Sequence, residues 1–116
     1  MRDEKTIALF EEILTRTKQG RLPWEPDVSG TTLLAAIKGK YSLVLRPYTA
    51  LDSYGAEFGS PSLIMKDASD RELVTITTST DGVPGDALQD LYEVARRQAL
   101  KVDEQVQDLL SDLRSL

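Results

Sequence analysis

A run of apolar residues alternately four and three positions apart occupies the C-terminal third of the chain: Leu88, Tyr92, Ala95, Ala99, Val102, Val106, Leu109, Leu113 and Leu116. That spacing is the mark of a helix with one apolar seam, and a seam of this kind needs a surface to cover it. Read from Asp86 to the last residue, 116, the seam predicts one rod of ~46 Å at ~1.5 Å per residue. A strand of ordinary length cannot cover so long a rod.

Along the seam the side chains change. Ala95 and Ala99 allow close approach to a sheet, whereas Val102, Val106, Leu109, Leu110, Leu113 and Leu116 suit packing against another helix. These six are the candidate interaction residues of the rod. The flanks of the seam hold Leu91, Arg96, Gln98, Asp103, Gln105, Leu110 and Asp112, which lack the alternating charges that specify a parallel two-stranded coiled coil. Antiparallel packing or a mixed bundle remains open, and the excess length of the rod predicts a homodimer or a protein partner.

A second amphipathic helix is expected from about Asp3 to Lys18, where Ile7, Leu9, Phe10, Ile13 and Leu14 share a face and Gly20 supplies the stop. The following Arg21 to Asp27 contains two prolines and the single tryptophan, Trp24, so it reads as an extended connector anchored by an indole in the core. Four strands are predicted at about 31 to 38, 40 to 46, 62 to 67 and 72 to 79, from their β-branched and aliphatic content and the turn formers between them. Alternation places Leu33, Ala35, Ile37, Tyr41, Leu43, Leu45, Leu63, Met65, Val74 and Ile76 on one face. Short connections at Lys38-Gly39-Lys40 and Asp67 to Arg71 predict antiparallel pairing.

The fold class expected is therefore α+β: an N-terminal helix, a four-stranded antiparallel meander and a long C-terminal helix packed on one sheet face, in a single domain over 1–116. The stretch from Pro47 to Pro61 is longer than most strand connections. Its aromatic residues Tyr48, Tyr54 and Phe58 are the second set of candidate interaction residues.

Several classes of function find no residues here. The chain has no histidine and no cysteine, which removes serine–histidine triads, thiolate nucleophiles and the ordinary structural zinc sites. Neither a phosphate-binding glycine loop nor a Ser-x-x-Lys motif is present. Asp67 with Asp70 and Asp81 with Asp86 are paired carboxylates, but they sit where turns and helix starts favour aspartate. The formal net charge of −5 disfavours nucleic acid and anionic membranes as partners. The cluster Arg96, Arg97 and Lys101 is interleaved with Glu93, Asp103 and Glu104, as on a solvated helix face. No apolar run has the length of a signal peptide or a membrane span, so a soluble cytoplasmic protein is expected.

Two stretches, Gln19-Gly20-Arg21-Leu22-Pro23-Trp24-Glu25 and Leu91-Tyr92-Glu93-Val94-Ala95-Arg96-Arg97-Gln98-Ala99, resemble small uncharacterised bacterial proteins. The resemblance spans most of the chain and implies the same order of helix, tryptophan-bearing connector, β-rich middle and terminal helix. It carries no assigned activity, and Pro23 departs from the pattern. The expectation for function is thus a protein-interaction module without catalysis or cofactor, self-associating through the C-terminal helix. The alternative is an antitoxin, immunity or secretion-chaperone-like protein that holds one dedicated partner. A small-ligand binder or enzyme ranks third and needs a deep polar pocket lined by carboxylates or tyrosines.

Overall fold

The computed structural model describes residues 3–116; Met1 and Arg2 lie outside the described residues. Helix α1 spans Glu4–Lys18. It begins where the Asp3 carboxylate accepts from the backbone N–H groups of Lys5 and Thr6, satisfying donors that the first turn leaves open. It ends in a Schellman motif: Gly20 at φ +70° lets its N–H reach the Thr17 carbonyl and the Arg21 N–H reach that of Arg16.

The main sheet has five antiparallel strands, one more than expected, in the order β1 (Glu25–Pro26), β2 (Leu33–Ile37), β3 (Tyr41–Arg46), β6 (Ser62–Asp67) and β7 (Glu72–Ile76). The additional strand is β1, formed by the tryptophan connector, in which Glu25 and Pro26 pair with Leu34 and Leu33. Proline belongs on such an edge, where no neighbour asks for its missing N–H. The remaining two strands, β4 (Ala50–Leu51) and β5 (Glu57–Phe58), form a separate hairpin within the long 47–61 connection.

Register explains the layering. Leu33, Leu45, Leu63 and Ile76 are matched across β2, β3, β6 and β7, and Ala35, Leu43, Met65 and Val74 form the adjacent row. Both rows face the helices, as the alternation predicts, and the first is essentially inaccessible to water. Phe10 and Ile13 of α1 and Leu88, Leu91, Tyr92 and Ala95 of helix α2 (Ala87–Ala99) complete the core with Trp24. On the other sheet face, the matched residues Leu34, Val44, Ile64 and Thr75 make a mixed row in which only Val44 and Ile64 are buried.

The single long C-terminal helix does not form. The chain leaves the α-helical path after Leu100, Lys101 adopts a left-handed conformation (φ 53°, ψ 45°), and a new helix, α3, runs over Val102–Arg114. Neither leucine nor lysine is a poor helix former, so propensity does not place the break there. Two short-range side-chain contacts bridge it: the Gln105 side-chain amide donates to the Leu100 carbonyl, and the Arg97 guanidinium meets Asp103 across the bend at 2.5 Å. Lys101 N–H turns back to the Gln98 carbonyl, closing α2 with a tighter final turn.

Candidate interaction surfaces

Helix α2 is fastened to the body at several points. The Tyr92 hydroxyl donates to the Thr31 carbonyl at 2.5 Å, Lys18 pairs with Asp90 at 2.8 Å, and the Gln98 amide donates to the Thr17 carbonyl at 2.6 Å. Burial pushes the Tyr92 phenol above its ordinary pKa, since the phenolate is the form that loses water. Thr17 is fully buried and also accepts, through its hydroxyl, the Trp24 indole N–H at 2.9 Å. Trp24 is accordingly a core anchor between α1, the connector and α2, as the sequence suggested, and is not displayed to solvent.

Helix α3 is fastened by almost nothing. Of its 13 residues none is buried. Val102, next to the bend, is half-buried, while Val106, Leu109, Leu110, Leu113 and Leu116 all count among the exposed large hydrophobic residues, Leu109 at 57% and Leu116 at 99%. Five of the six candidate seam residues thus lie on one side of α3, which projects from the domain, and Leu116 follows the helix's end at Arg114. The molecule measures 59 × 36 × 30 Å, with a radius of gyration of 15.8 Å, against about 13 Å for a compact chain of similar length.

One side of the bend forms an open cleft lined by Arg96, Leu100, Val102, Gln105, Val106 and Leu109. Arg96, Leu100 and Gln105 acquire a place at this surface only because the helix bends. No sequence signal marks the bend, and a straight seam gives these residues no common role.

The three candidate residues of the long connection are placed differently from one another. Tyr48 is half-buried beside the sheet, where its carbonyl accepts from the Ser62 hydroxyl at 2.9 Å. Tyr54 stands at the hairpin tip and is 94% exposed, and Phe58 on β5 is exposed as well. The tip is ordered by Asp52, whose carboxylate accepts from the backbone N–H groups of Tyr54 and Ala56, a short-range turn that needs no core beneath it. Gly59 lies against Thr49 so closely that a Cβ would come within 2.9 Å of the Thr49 Cβ. The hairpin therefore presents Leu51, Tyr54 and Phe58 on a short, cross-bonded frame.

The Asp67 and Asp70 pair serves local structure. Asp67 accepts from the backbone of Ser69 and Arg71 and from the Arg71 guanidinium, which together hold its carboxyl below the usual range, the Arg71 backbone N–H being the largest cause. Asp70 meets Lys66 at 3.3 Å. Asp86 occupies the α2 N-cap position without a side-chain capping bond. Among the described residues no group of three or more His, Cys, Asp or Glu is placed to hold a metal ion, and no helix is long and apolar enough to cross a membrane.

One further cleft separates α1 from the β2–β3 end of the sheet. Its wall is Leu9, Ile13, Leu22, Ile37, Leu43 and Met65. At its rim Glu12 and Arg16 neutralise each other at 2.7 Å. No family model, curated protein or solved structure matches the chain.

Proposed function

We propose that the chain is a non-catalytic protein-interaction module that self-associates through α3. The observation that carries this reading is an amphipathic helix whose apolar stripe is uncovered beyond Val102 while every other long helix of the domain buries its own. A solvated helix of 13 residues is too short to persist by propensity alone, so a stripe of this kind calls for a covering surface. A second copy supplies one of matching length. Each half-exposed leucine contributes about 1 kcal/mol when covered, so affinity rests on the set and a micromolar dimer is expected.

The test is the solution mass. Static light scattering at high micromolar concentration is expected to give twice the 12.9 kDa chain mass, with the paired change Leu109→Asp and Leu113→Asp returning it to one. A single-chain mass for the unaltered protein overturns the reading.

The second reading, a dedicated partner of the antitoxin, immunity or chaperone-client kind, draws on the β4–β5 hairpin. Exposed aromatic residues on an ordered turn give contact area at little entropic cost. Tyr54→Ala with Phe58→Ala is expected to abolish capture of such a partner without changing the solution mass; an unaffected partner removes the hairpin from consideration.

A further inference from the structure

Resting on the self-association reading, we infer that the two α3 helices pair antiparallel, the tip of each seated in the α2–α3 bend of the other. A helix of 13 residues is ~20 Å long and ~10 Å across, a footprint of roughly 200 Å² in projection. Even doubled for side-chain relief, that is short of the roughly 800 Å² per partner usual in stable complexes. The bend supplies the additional surface, because the cleft beside it carries Leu100 and Arg96 next to Val102 and Val106. Only an antiparallel partner brings a narrow helix tip to that place. A parallel partner brings its own bend and the domain behind it, with Arg96 facing Arg96.

Layer volumes point the same way. An antiparallel register centred on the Val106 and Leu109 pair sets Val102 against the second copy's Leu113 and Val106 against its Leu109, so that each layer holds one smaller and one larger side chain. Leu116 then reaches the Leu100 side of the cleft at the bend. In the parallel arrangement valine meets valine and leucine meets leucine, while Asp108 and Asp112 stand level with their own copies.

The flanks are also complementary. Gln105 and Asp112 occupy the same flank of the seam, and antiparallel pairing sets one opposite the other twice by symmetry. The Gln105 amide has two N–H donors, one of them engaged by the Leu100 carbonyl, which leaves the second for the opposing carboxylate. On the other flank Leu110 meets Asp103, which Arg97 already neutralises.

The absence of native cysteine makes the orientation directly readable. Val102→Cys and Leu113→Cys are prepared separately, mixed and oxidised mildly. Antiparallel pairing is expected to convert most of the mixture into a disulfide-linked heterodimer, with little covalent dimer from either variant alone, because two copies of residue 102 are then ~16 Å apart along the axis, beyond disulfide reach. Efficient linkage of each variant to itself shows parallel pairing and overturns this inference while leaving self-association intact. A dimeric mass that survives Leu109→Asp with Leu113→Asp moves the interface elsewhere and likewise overturns it. A single-chain mass for the unaltered protein removes both proposals.

Discussion

Helices α2 and α3 have the same length, 13 residues each, and continue one apolar spacing, yet their fates are opposite. The first buries Leu88, Leu91, Tyr92 and Ala95 against the sheet and α1; the second buries nothing. Spacing therefore reports that a helix has an apolar face and is silent on what covers it. What separates the two is the bend at Leu100 and Lys101, which carries α3 off the domain after the last fastening point of α2, the bond from Gln98 to Thr17.

The largest effect expected from this contrast comes from truncating one leucine in each helix. Leu91→Ala should cost about 2–5 kcal/mol, because it removes contacts from a filled core that relaxes only partly. Leu91 is fully buried. Leu109→Ala, measured in urea at concentrations too low for self-association, should stay within about 0.5 kcal/mol. Comparable losses at the two positions would mean that α3 folds back onto its own domain, and the distinction between the helices would disappear.

Next in size is the bond that ties the connector to α1 beside the fastening of α2. Thr17→Val preserves volume but deprives the buried Trp24 N–H of its acceptor, at an expected cost of about 1–3 kcal/mol. The carbonyl that holds Gln98 remains, so the loss isolates one of the two bonds meeting at this residue. Tryptophan fluorescence in a urea titration follows it directly, and an unchanged midpoint would show that the indole bond does not help to anchor the connector to α1.

Tyr92→Phe probes the opposite end of the same helix and should cost about 1 kcal/mol near neutral pH through loss of the bond to the Thr31 carbonyl. Its pH dependence gives a sharper reading. The folded protein holds the Tyr92 phenol above its ordinary value, so this stabilisation is complete below about pH 10 and is lost as pH rises through the folded value. The unaltered protein should therefore weaken in alkali more than the phenylalanine variant. Parallel stability curves for the two would show that the hydroxyl is hydrated and that α2 is less firmly seated than its geometry indicates.

How much of this could be read from residue order follows from the range of the forces involved. The facing rows of the sheet, the α1 stop and Trp24 as an anchor were legible because alternation, Gly20 and a lone indole act locally. Strand β1 was not legible, since two residues that include Pro26 carry no strand pattern and pair only because Leu33 and Leu34 offer an edge. The hairpin from Ala50 to Phe58 read as a plain connection, its frame depending on the Asp52 carboxylate and the close approach of Gly59 to Thr49. Of the candidate seam, Val102, Val106, Leu109 and Leu113 on one face of α3 were legible from the period, while Leu110 stood on its flank and Leu116 falls beyond the helix. The bend was not, because it depends on Gln105 and Asp103 reaching back across the junction between two good helix formers.

The smallest effect expected is at Lys101, and there its sign matters more than its size. A non-glycine residue in the left-handed region carries a strain of about 1–2 kcal/mol, and glycine relieves it while giving back roughly half in chain entropy. If the bend persists in solution, Lys101→Gly should be neutral or stabilising by up to about 1 kcal/mol; in an unbroken helix the same change should cost about 1 kcal/mol. Amide exchange supplies an independent check, since α3 begins afresh at Val102 and a first turn lacks intrahelical acceptors for its N–H groups. Rapid exchange at Val102, Asp103 and Glu104 beside protected amides in α2 would place the break where the geometry has it. Slow exchange there, together with a destabilised glycine variant, would make the two helices a single rod and remove the cleft at the bend on which antiparallel pairing depends.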